Sequence, residues 1–376
     1  MKIKCCSFEC MADFIKQQHK RVILFGAGVI GTVTAPAILQ KYGLIDNIEC
    51  YIDNDHSLCG SHKLVYGKKI PVRHVYMLNN ITADEFVVIL NISRYASAIR
   101  QLNSYGHLAE MICFFLPMMC IQNFDIVAGM EDGAIKDFQE PVIPKVIHYM
   151  WLGKKEIPAT LQKCIDTWTR CCPDYEIVQW NEDNYDVNKV PYMREAYSRG
   201  AYGFVPDYAR LDILFQHGGF YLDTDVELLR SLDEMRYQSA FCGVEKWQVL
   251  NFGGCSGSVK GNAVIGEFLK NRQNINYLNQ DGSENRTTCG FYDTVLAMRH
   301  GYKINGTVQK IGDLNIYTSD YFHPYDYMSG RINITANTFS IHHFNGGWLS
   351  EELAEENKKA CQEFEKLYES AIDMDY

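Results

Sequence analysis

The chain changes its hydrophobic pattern part-way along. In the first third, short apolar runs stand between polar segments: RVILF at 21–25, IECYID at 48–53, FVVILNIS at 86–93 and a fourth run at 111–116. Continuous runs of this length, rich in Val and Ile and bounded by turn residues, predict strands buried on both faces. TVTAPAILQKYG, residues 32–43, lies between the first two and reads as a helix, so the order strand, helix, strand predicts a small parallel sheet. Residues 119–140 lose this periodicity and carry Gly129, Glu131, Asp132 and Gly133, which predicts a linker. The pattern restarts at Pro141. IPKVIHYMWLG (143–153) predicts a strand, LQKCIDTWTRCCPDY (161–175) a helix stopped by Pro173, and EIVQWNEDN (176–184) a second strand. The expectation is an α/β protein with domains at 1–118 and 141–376 joined by 119–140. The tail, LSEELAEENKKACQEFEKLYESAIDMDY, predicts a closing helix whose apolar side, Leu353, Cys361, Phe364 and Leu367, is expected to pack onto the second domain, the alternative being a dimer contact.

RVILFGAGVIG, residues 21–31, runs straight from a strand into Gly26, Gly28 and Gly31, the spacing G-x-G-x-x-G, and the next strand ends at Asp53. In a dinucleotide-binding unit the glycines permit the tight turn, the approach of phosphate and close helix packing, and the acid accepts from a ribose hydroxyl. Two readings stay open: a nucleotide or nucleotide-sugar pocket over the helix N-terminus, or a purely structural unit. The stretch 19–118 resembles the small Rossmann-like modules of the GAG..G then xIDND type that are fused to bacterial sugar-modifying enzymes.

At 376 residues and 47% hydrophobic, the chain can bury a sizeable core, and the usual domain size of about 150 residues agrees with two domains. A formal net charge of -10 argues against a nucleic-acid partner, since such proteins carry a basic footprint. Any anionic ligand must then be held by local positive groups or a metal. The 14 cysteines are spread along the chain, and neither Cys5-Cys6 nor Cys171-Cys172 has zinc-ligand spacing, so reduced thiols are expected. The N-terminus lacks the apolar core of a signal peptide, and the longest apolar run, MICFFLPMMCI at 111–121, is too short to span a bilayer and contains Pro117. The expected location is cytoplasmic.

Against this background QHGGFYLDTDVE, residues 216–227, stands out: Phe220, Tyr221 and Leu222 form an apolar strand that ends in Asp223, Asp225 and Glu227. Residues at i and i+2 of an ideal strand share a face, and two unpaired carboxylates there repel. Mg²⁺ or Mn²⁺ commonly bridges one or two protein carboxylates to substrate phosphates, so Asp-x-Asp at a strand end suits a metal diphosphate. Upstream, VPDYARLDILFQHGG (205–219) predicts a helix with Asp207, Arg210 and Leu211 on one side, closed by glycine. Arg210 suits a phosphate as a forked donor and Asp207 a sugar or ribose hydroxyl, or the two form an ion pair on the helix.

D-Y-A-R-L-D-I-L-x-x-x-G-G-x-Y-L-D-x-D is similar to the signature of the DXD sugar transferases of family 32, which include capsular polysaccharide transferases and yeast mannosyltransferase-like proteins, and resembles the core of the glucosylating bacterial toxins. IPKVIHYMWLG resembles that family's first strand and SIHHFNGGWL (340–349) its closing motif, so the resemblance spans about 140–350. It implies a GT-A type nucleotide-sugar transferase domain after the Rossmann-like one. It further implies Asp223 and Asp225 as metal ligands with His343 as a third, the ion being Mn²⁺ or Mg²⁺. Asp207 and Arg210 would grip the donor, Trp151 would stack on its base, Tyr221 and Asn251 would lie near it, and Trp348 would close over it. On a strand His342 faces the other way from His343, so only one of them binds. Gly347 stands where many members have Ser, and TCGFYDTVL (288–296) where relatives more often read Thr-Gly-Pro.

The implied activity is metal-dependent hexosyl transfer, with retention, from a nucleotide sugar such as a UDP sugar to a glycan or lipid-linked saccharide in surface polysaccharide synthesis, with peripheral membrane association through the acceptor. Two other readings compete. One is a nucleotide-sugar-sensing or scaffold protein with a degenerate transferase site. The other is an NAD-dependent oxidoreductase, which requires a Tyr-x-x-x-Lys or similar proton donor that residues 19–118 lack.

Overall fold

In the computed structural model the described residues are 1–93, 95–125, 133–345 and then 355, 359, 361 and 364. They form two compact units, one drawn from 1–127, 327–330 and 352–376 and the other from 128–326 and 331–351.

The first unit is built on a seven-stranded sheet: β1 (Lys2–Lys4), β2 (Arg21–Phe25), β3 (Ile48–Asp53), β4 (His62–Val65), β5 (Lys68–His74), β6 (Phe86–Leu90) and β7 (Ile112–Phe115), in the order β1-β7-β6-β2-β3-β5-β4. Only β4, hairpinned to β5, runs antiparallel. The apolar runs are central because both faces are covered: Val22, Ile23, Leu24, Val87, Val88 and Leu90 are fully buried. From β2 the chain moves outward through β3 and β5, then crosses back to β6 and β7, so the strand order reverses between β2 and β6. The α/β expectation is met.

Three features differ from the sequence reading. The β4–β5 hairpin, turning at Tyr66 and Gly67 with φ of 45° and 83°, lies where no strand was expected. A helix, Leu116–Asp125, follows β7 directly and occupies the start of the expected linker. The tail was expected on the second domain, yet Phe364 is fully buried with its ring 6.1 Å from Tyr95 and 6.4 Å from Phe115, inside the first unit.

The second unit carries an eight-stranded sheet. Its strands are β8 (Val146–Met150), β9 (Glu176–Trp180), β10 (Gly219–Tyr221), β12 (Ala240–Val244), β13 (Leu250–Asn251), β14 (Ser256–Ser258), β15 (Gln309–Ile311) and β16 (Leu314–Tyr317), while β11 (Val226–Leu228) and β17 (Ser340–His342) form a separate antiparallel pair. The main order is β15-β16-β12-β14-β10-β8-β9, with β13 pairing beside β12. Pairing directions make β8, β9, β10, β12 and β16 parallel, so all five deliver their C-terminal residues to one edge. The core beneath is aromatic: Trp168, Phe220, Phe241, Tyr317 and Phe322 are buried together, each large side chain contributing about 1.5–3 kcal/mol of transfer free energy. Trp168 also donates from Nε1 to the Val226 carbonyl at 2.7 Å, so its polar atom is satisfied and β11 is held in place. Among the described residues no helix is long and apolar enough to cross a membrane.

Candidate active site

The helix Pro206–His217 reaches β10 through Gly218 and Gly219, with φ of 71° and 91°. A Cβ would lie 2.8 Å from Lys260 N at the first and 2.7 Å from Val146 O at the second, so only glycines let β10 enter the sheet here. β10 is short. It ends at Tyr221, and Asp223–Asp225 form a turn closed by Val226 N donating to Asp223 O at 3.1 Å. The two aspartates therefore leave the ideal strand, and their carboxylates take different partners.

Asp223 faces Arg210, whose Nη2 lies 3.2 Å from both carboxylate oxygens. The same Nη2 is 3.4 Å from Asp207 Oδ1, and Nη1 is 3.5 Å from Cys289 Sγ. The guanidinium is buried, and Nε has no hydrogen-bond partner. Asp207 is also buried and accepts from Tyr192 Oη at 3.3 Å. Burial pushes its carboxyl up, against the pull of Arg210 and Arg272. Behind this trio Arg272 and Asp293 form a buried ion pair at 2.8 Å, and Arg272 Nη2 also donates to Cys289 O at 2.8 Å. Of the two sequence readings of Arg210, the helix ion pair with Asp207 is present, and it extends to Asp223 in the acidic turn.

Asp225 faces His342. Its Oδ1 is 3.2 Å from His342 Nε2, and Oδ2 accepts from Asn345 N at 2.9 Å. Burial alone would raise this carboxyl, but the His342 ring and the Asn345 amide outweigh it and hold it at about 2. His343, expected beside the two aspartates, instead sits 3.0 Å from Glu227 Oε2. The reason is register: β17 pairs with β11 so that His342 stands opposite Val226, directly after Asp225. His342 is buried and its Nδ1 has no partner, whereas His343 is partly exposed.

Three other expected donor contacts fall elsewhere or are occupied. Tyr221 is fully buried in β10, with the Arg210 guanidinium 5.7 Å from its ring centre. Asn251 Oδ1 accepts from Gly253 N at 2.7 Å and Gly254 N at 3.2 Å, and Nδ2 donates to Glu245 Oε1 at 2.8 Å. Gly253 O in turn accepts from Asp223 N at 2.8 Å, and a Cβ on Gly253 would lie 2.0 Å from Asp223 Oδ2. Asn251 thus holds the loop that clasps the acidic turn. Trp151, directly after β8, is half-buried and donates from Nε1 to Lys155 O at 2.7 Å. Trp348 and Gly347 lie outside the described residues.

In the first unit Gly26, Gly28 and Gly31 form the turn after β2, and Asp53 at the end of β3 accepts from Ala27 N at 2.8 Å. The helix expected over 32–43 begins two residues earlier as a π-helical segment, Ile30–Thr34, and continues as Ala35–Lys41.

Asp223 and Asp225 supply hard oxygen donors, and each oxygen already bonded retains a further lone pair. That donor set fits a divalent cation held by one or two carboxylates, with water and substrate phosphates completing its shell. Among the described residues no three His, Cys, Asp or Glu side chains are grouped so as to hold a metal ion by themselves.

Residues 158–242 match the family described as glycosyltransferase sugar-binding region containing DXD motif. The chain is similar to inositol phosphoceramide mannosyltransferase 3 of Schizosaccharomyces pombe, 33% identical over 111 residues, covering 27% of this chain and 30% of that protein. The aligned stretch thus spans under a third of that relative's length. It is also similar to the uncharacterized glycosyltransferase L373 of Acanthamoeba polyphaga mimivirus, 27% identical over 196 residues, 49% of this chain and 74% of that one. Among solved structures a PaToxG glycosyltransferase overlaps at a TM-score of 0.35 and 16% identity, over 48% of this chain and 78% of that chain, too slight a likeness to carry an argument. Residues 158–242 are therefore similar to the DXD-containing sugar-binding region of glycosyltransferases, and Asp207, Arg210, Asp223 and Asp225 all lie inside that stretch.

Proposed function

We propose that the chain is a metal-dependent glycosyltransferase that moves a hexosyl group, with retention, from a nucleotide sugar to a hydroxyl of a glycan or lipid-linked saccharide. The observation that carries this reading is the Asp-x-Asp turn at the carboxyl edge of the second sheet, inside the matched region and flanked by a buried arginine. Asp223 and Asp225 would hold Mn²⁺ or Mg²⁺, which supplies Lewis-acid stabilisation of a departing diphosphate. Arg210 is fixed between Asp207 and Asp223, so its positive charge is preorganised and loses little on receiving a phosphate oxygen. His342 orients Asp225 and keeps it charged. The Asn251 loop fixes the backbone of Asp223. No side chain is assigned as a nucleophile, and catalysis by positioning and electrostatics requires none. The cysteines are free, which suits the cytoplasmic setting we propose, with the acceptor bringing the protein to a membrane.

The test is nucleotide release from UDP-, GDP- and ADP-sugars with Mn²⁺, Mg²⁺ or EDTA, beside Asp225→Asn. The expected result is release from one donor that stops in EDTA and falls on the order of 10²-fold or more in the variant, the size seen when one preorganised electrostatic group is removed. No release from any donor, together with no metal-dependent binding of UDP or GDP, overturns the transferase reading and favours a sensing or scaffold role.

A further inference from the structure

The β4–β5 hairpin of the first unit has no part in the transferase reading. Residues 56–83, which contain it, carry Lys63, Lys68, Lys69 and Arg73 and no Asp or Glu, a formal charge of +4 in a chain whose net charge is -10. Positive charge is thus concentrated on one segment of an acidic molecule.

Strand pairing decides which side chains look outward. His62 stands opposite Pro71 and Leu64 opposite Lys69 on one face of the ribbon, while Lys63 stands opposite Ile70 and Val65 opposite Lys68 on the other. Val65, Ile70 and Val72 are buried, so the second face is turned to the core. Leu64, Lys69 and, two residues further at each step, Pro71 and Arg73 share the outward face. Leu64 there is 73% exposed. Lys68 Nζ is 3.4 Å from Asp46 Oδ1, whereas Lys69 and Arg73 make no ion pair among the described residues.

Tyr66, 52% exposed, forms the tip of the ribbon. Only Tyr66 and Gly67 lie between the paired residues Val65 and Lys68, and both have positive φ, 45° and 83°. A two-residue turn of this kind favours Asn-Gly or Asp-Gly, because a bulky side chain is disfavoured in the left-handed region. Here a tyrosine takes that position and leaves its ring in water, so the turn gives up stability to present the ring. Lysines on an edge strand also deter pairing with other sheets. That accounts for Lys63 and Lys69 but for neither Leu64 nor Tyr66.

We propose that the β4–β5 hairpin docks the first unit on an anionic lipid surface. An apolar tip beside cations matches a surface that is anionic at its headgroups and apolar beneath them. The Tyr66 ring sits at headgroup level, Leu64 enters the acyl boundary, and Lys69 and Arg73 meet the headgroups, each strengthening partitioning about fivefold. Nucleic acid offers the charge without the apolar layer. Two apolar side chains and two cations give reversible attachment, since stable anchoring takes a further signal.

The test sediments the full chain with vesicles of phosphatidylcholine alone and of an equal mixture of phosphatidylcholine and phosphatidylglycerol, at low and at high salt. These vesicles carry no saccharide, so the result does not depend on the transferase reading. The expected result is retention on the mixed vesicles, little on the neutral ones, and release at high salt, where the charges are screened. Lys69→Glu with Arg73→Glu weakens partitioning about tenfold or more. Leu64→Ser with Tyr66→Asn weakens it by a similar factor through lost apolar burial. The thermal midpoint of Tyr66→Asn holds or rises, because asparagine suits the turn, so loss of binding in that pair is not loss of the fold. No retention on mixed vesicles, retention that both pairs of substitutions leave unchanged, or capture by a single-stranded oligonucleotide with none by vesicles overturns the proposal.

Discussion

Each unit places aspartates just where a strand ends, and the two solve the resulting electrostatic problem in opposite ways. Asp53 is held by main-chain amides, those of Ala27 and Asp55. Asp223 is held by a side-chain cation, the buried Arg210 guanidinium, and Asp225 chiefly by the buried His342 ring with the Asn345 amide beside it. The first turn depends on backbone dihedrals and close approach, so its weak points are glycines. The second depends on charge held away from water, so its weak points are ionic partners. Removing one partner of a buried pair strands the other, whereas removing the charge of an amide-bound carboxylate leaves an acceptor in place.

The largest effect that separates the two is therefore Arg210→Met. It leaves Asp207 and Asp223 without the cation between them, and the second unit is expected to lose about 3–5 kcal/mol. Asp53→Asn in the first unit is expected to cost about 1 kcal/mol, since a neutral oxygen still accepts from Ala27 N and the exposed Asp55 N, which loses its acceptor, turns to water. Denaturant titrations of the two variants, followed by probes in each unit, measure both. Equal losses would break the contrast.

A second effect is acid sensitivity of the second unit, and its cause is His148 on β8. Trp180 Nε1 donates to His148 Nδ1 at 3.2 Å, so the ring is neutral and Nε2 donates to Gly218 O at 3.0 Å. Burial, partly offset by the Gly218 carbonyl, lowers this imidazole from 6.5 to about 4. Below pH 6.5 the unfolded chain takes up a proton that the folded chain refuses until about pH 4. The contribution is intact above pH 6.5 and lost as pH falls toward 4, a change on the order of 3 kcal/mol. His323, whose burial lowers it well below its ordinary value, acts with the same sign. Denaturation midpoints between pH 7 and 4.5 should fall, and fall less steeply in His148→Gln. An unchanged slope would remove His148 as the cause.

The same contrast governs what could be read before the structure. β2, β3, β6 and β8 were legible because their burial leaves a run of mostly apolar residues, whereas β9, an edge strand with no buried residue, was legible from its place after the helix stopped by Pro173. β14 was not, although it sits in the middle of the second sheet. Its sequence is Ser256-Gly257-Ser258, small because Phe241 and Phe220 crowd it: a Cβ on Gly257 would lie 2.5 Å from Phe241 Cε1 and 3.2 Å from Phe220 Cδ1. Within the acidic site the helix and turn were legible as local spacing, but their partners were not. Arg272 arrives from the helix Ala263–Arg272 and Cys289 and Asp293 together from the helix Cys289–Arg299, with no periodic signal linking either helix to Arg210. The choice of His342 over His343 was decided by the pairing of β17 with β11, a register that the pattern HH alone leaves open. Asn251 was noticed for its place in the chain, yet its amide is taken up by Glu245 and two glycine N–H groups.

The smallest effect is the sharpest test of the backbone side of the comparison, because it sets two glycines of one motif against each other. Gly31→Ala pushes a methyl group against a carbonyl oxygen at 2.0 Å and an amide nitrogen at 2.3 Å, both in a packed interior. The Gly26 carbonyl cannot retreat without moving the backbone after β2, and the Asn91 amide only by giving up its bond to that carbonyl, so overpacking of this kind costs about 1–3 kcal/mol. Gly28→Ala adds the same methyl group where nothing lies within 4 Å and the backbone is already in a region open to any residue. There the gain comes from restricting the unfolded chain, about 0.4–1 kcal/mol of stabilisation. The two substitutions should therefore move the unfolding midpoint of the first unit in opposite directions. If both lower it, Gly28 is structural after all, and the distinction between glycines that close packing requires and one that stands in open space collapses.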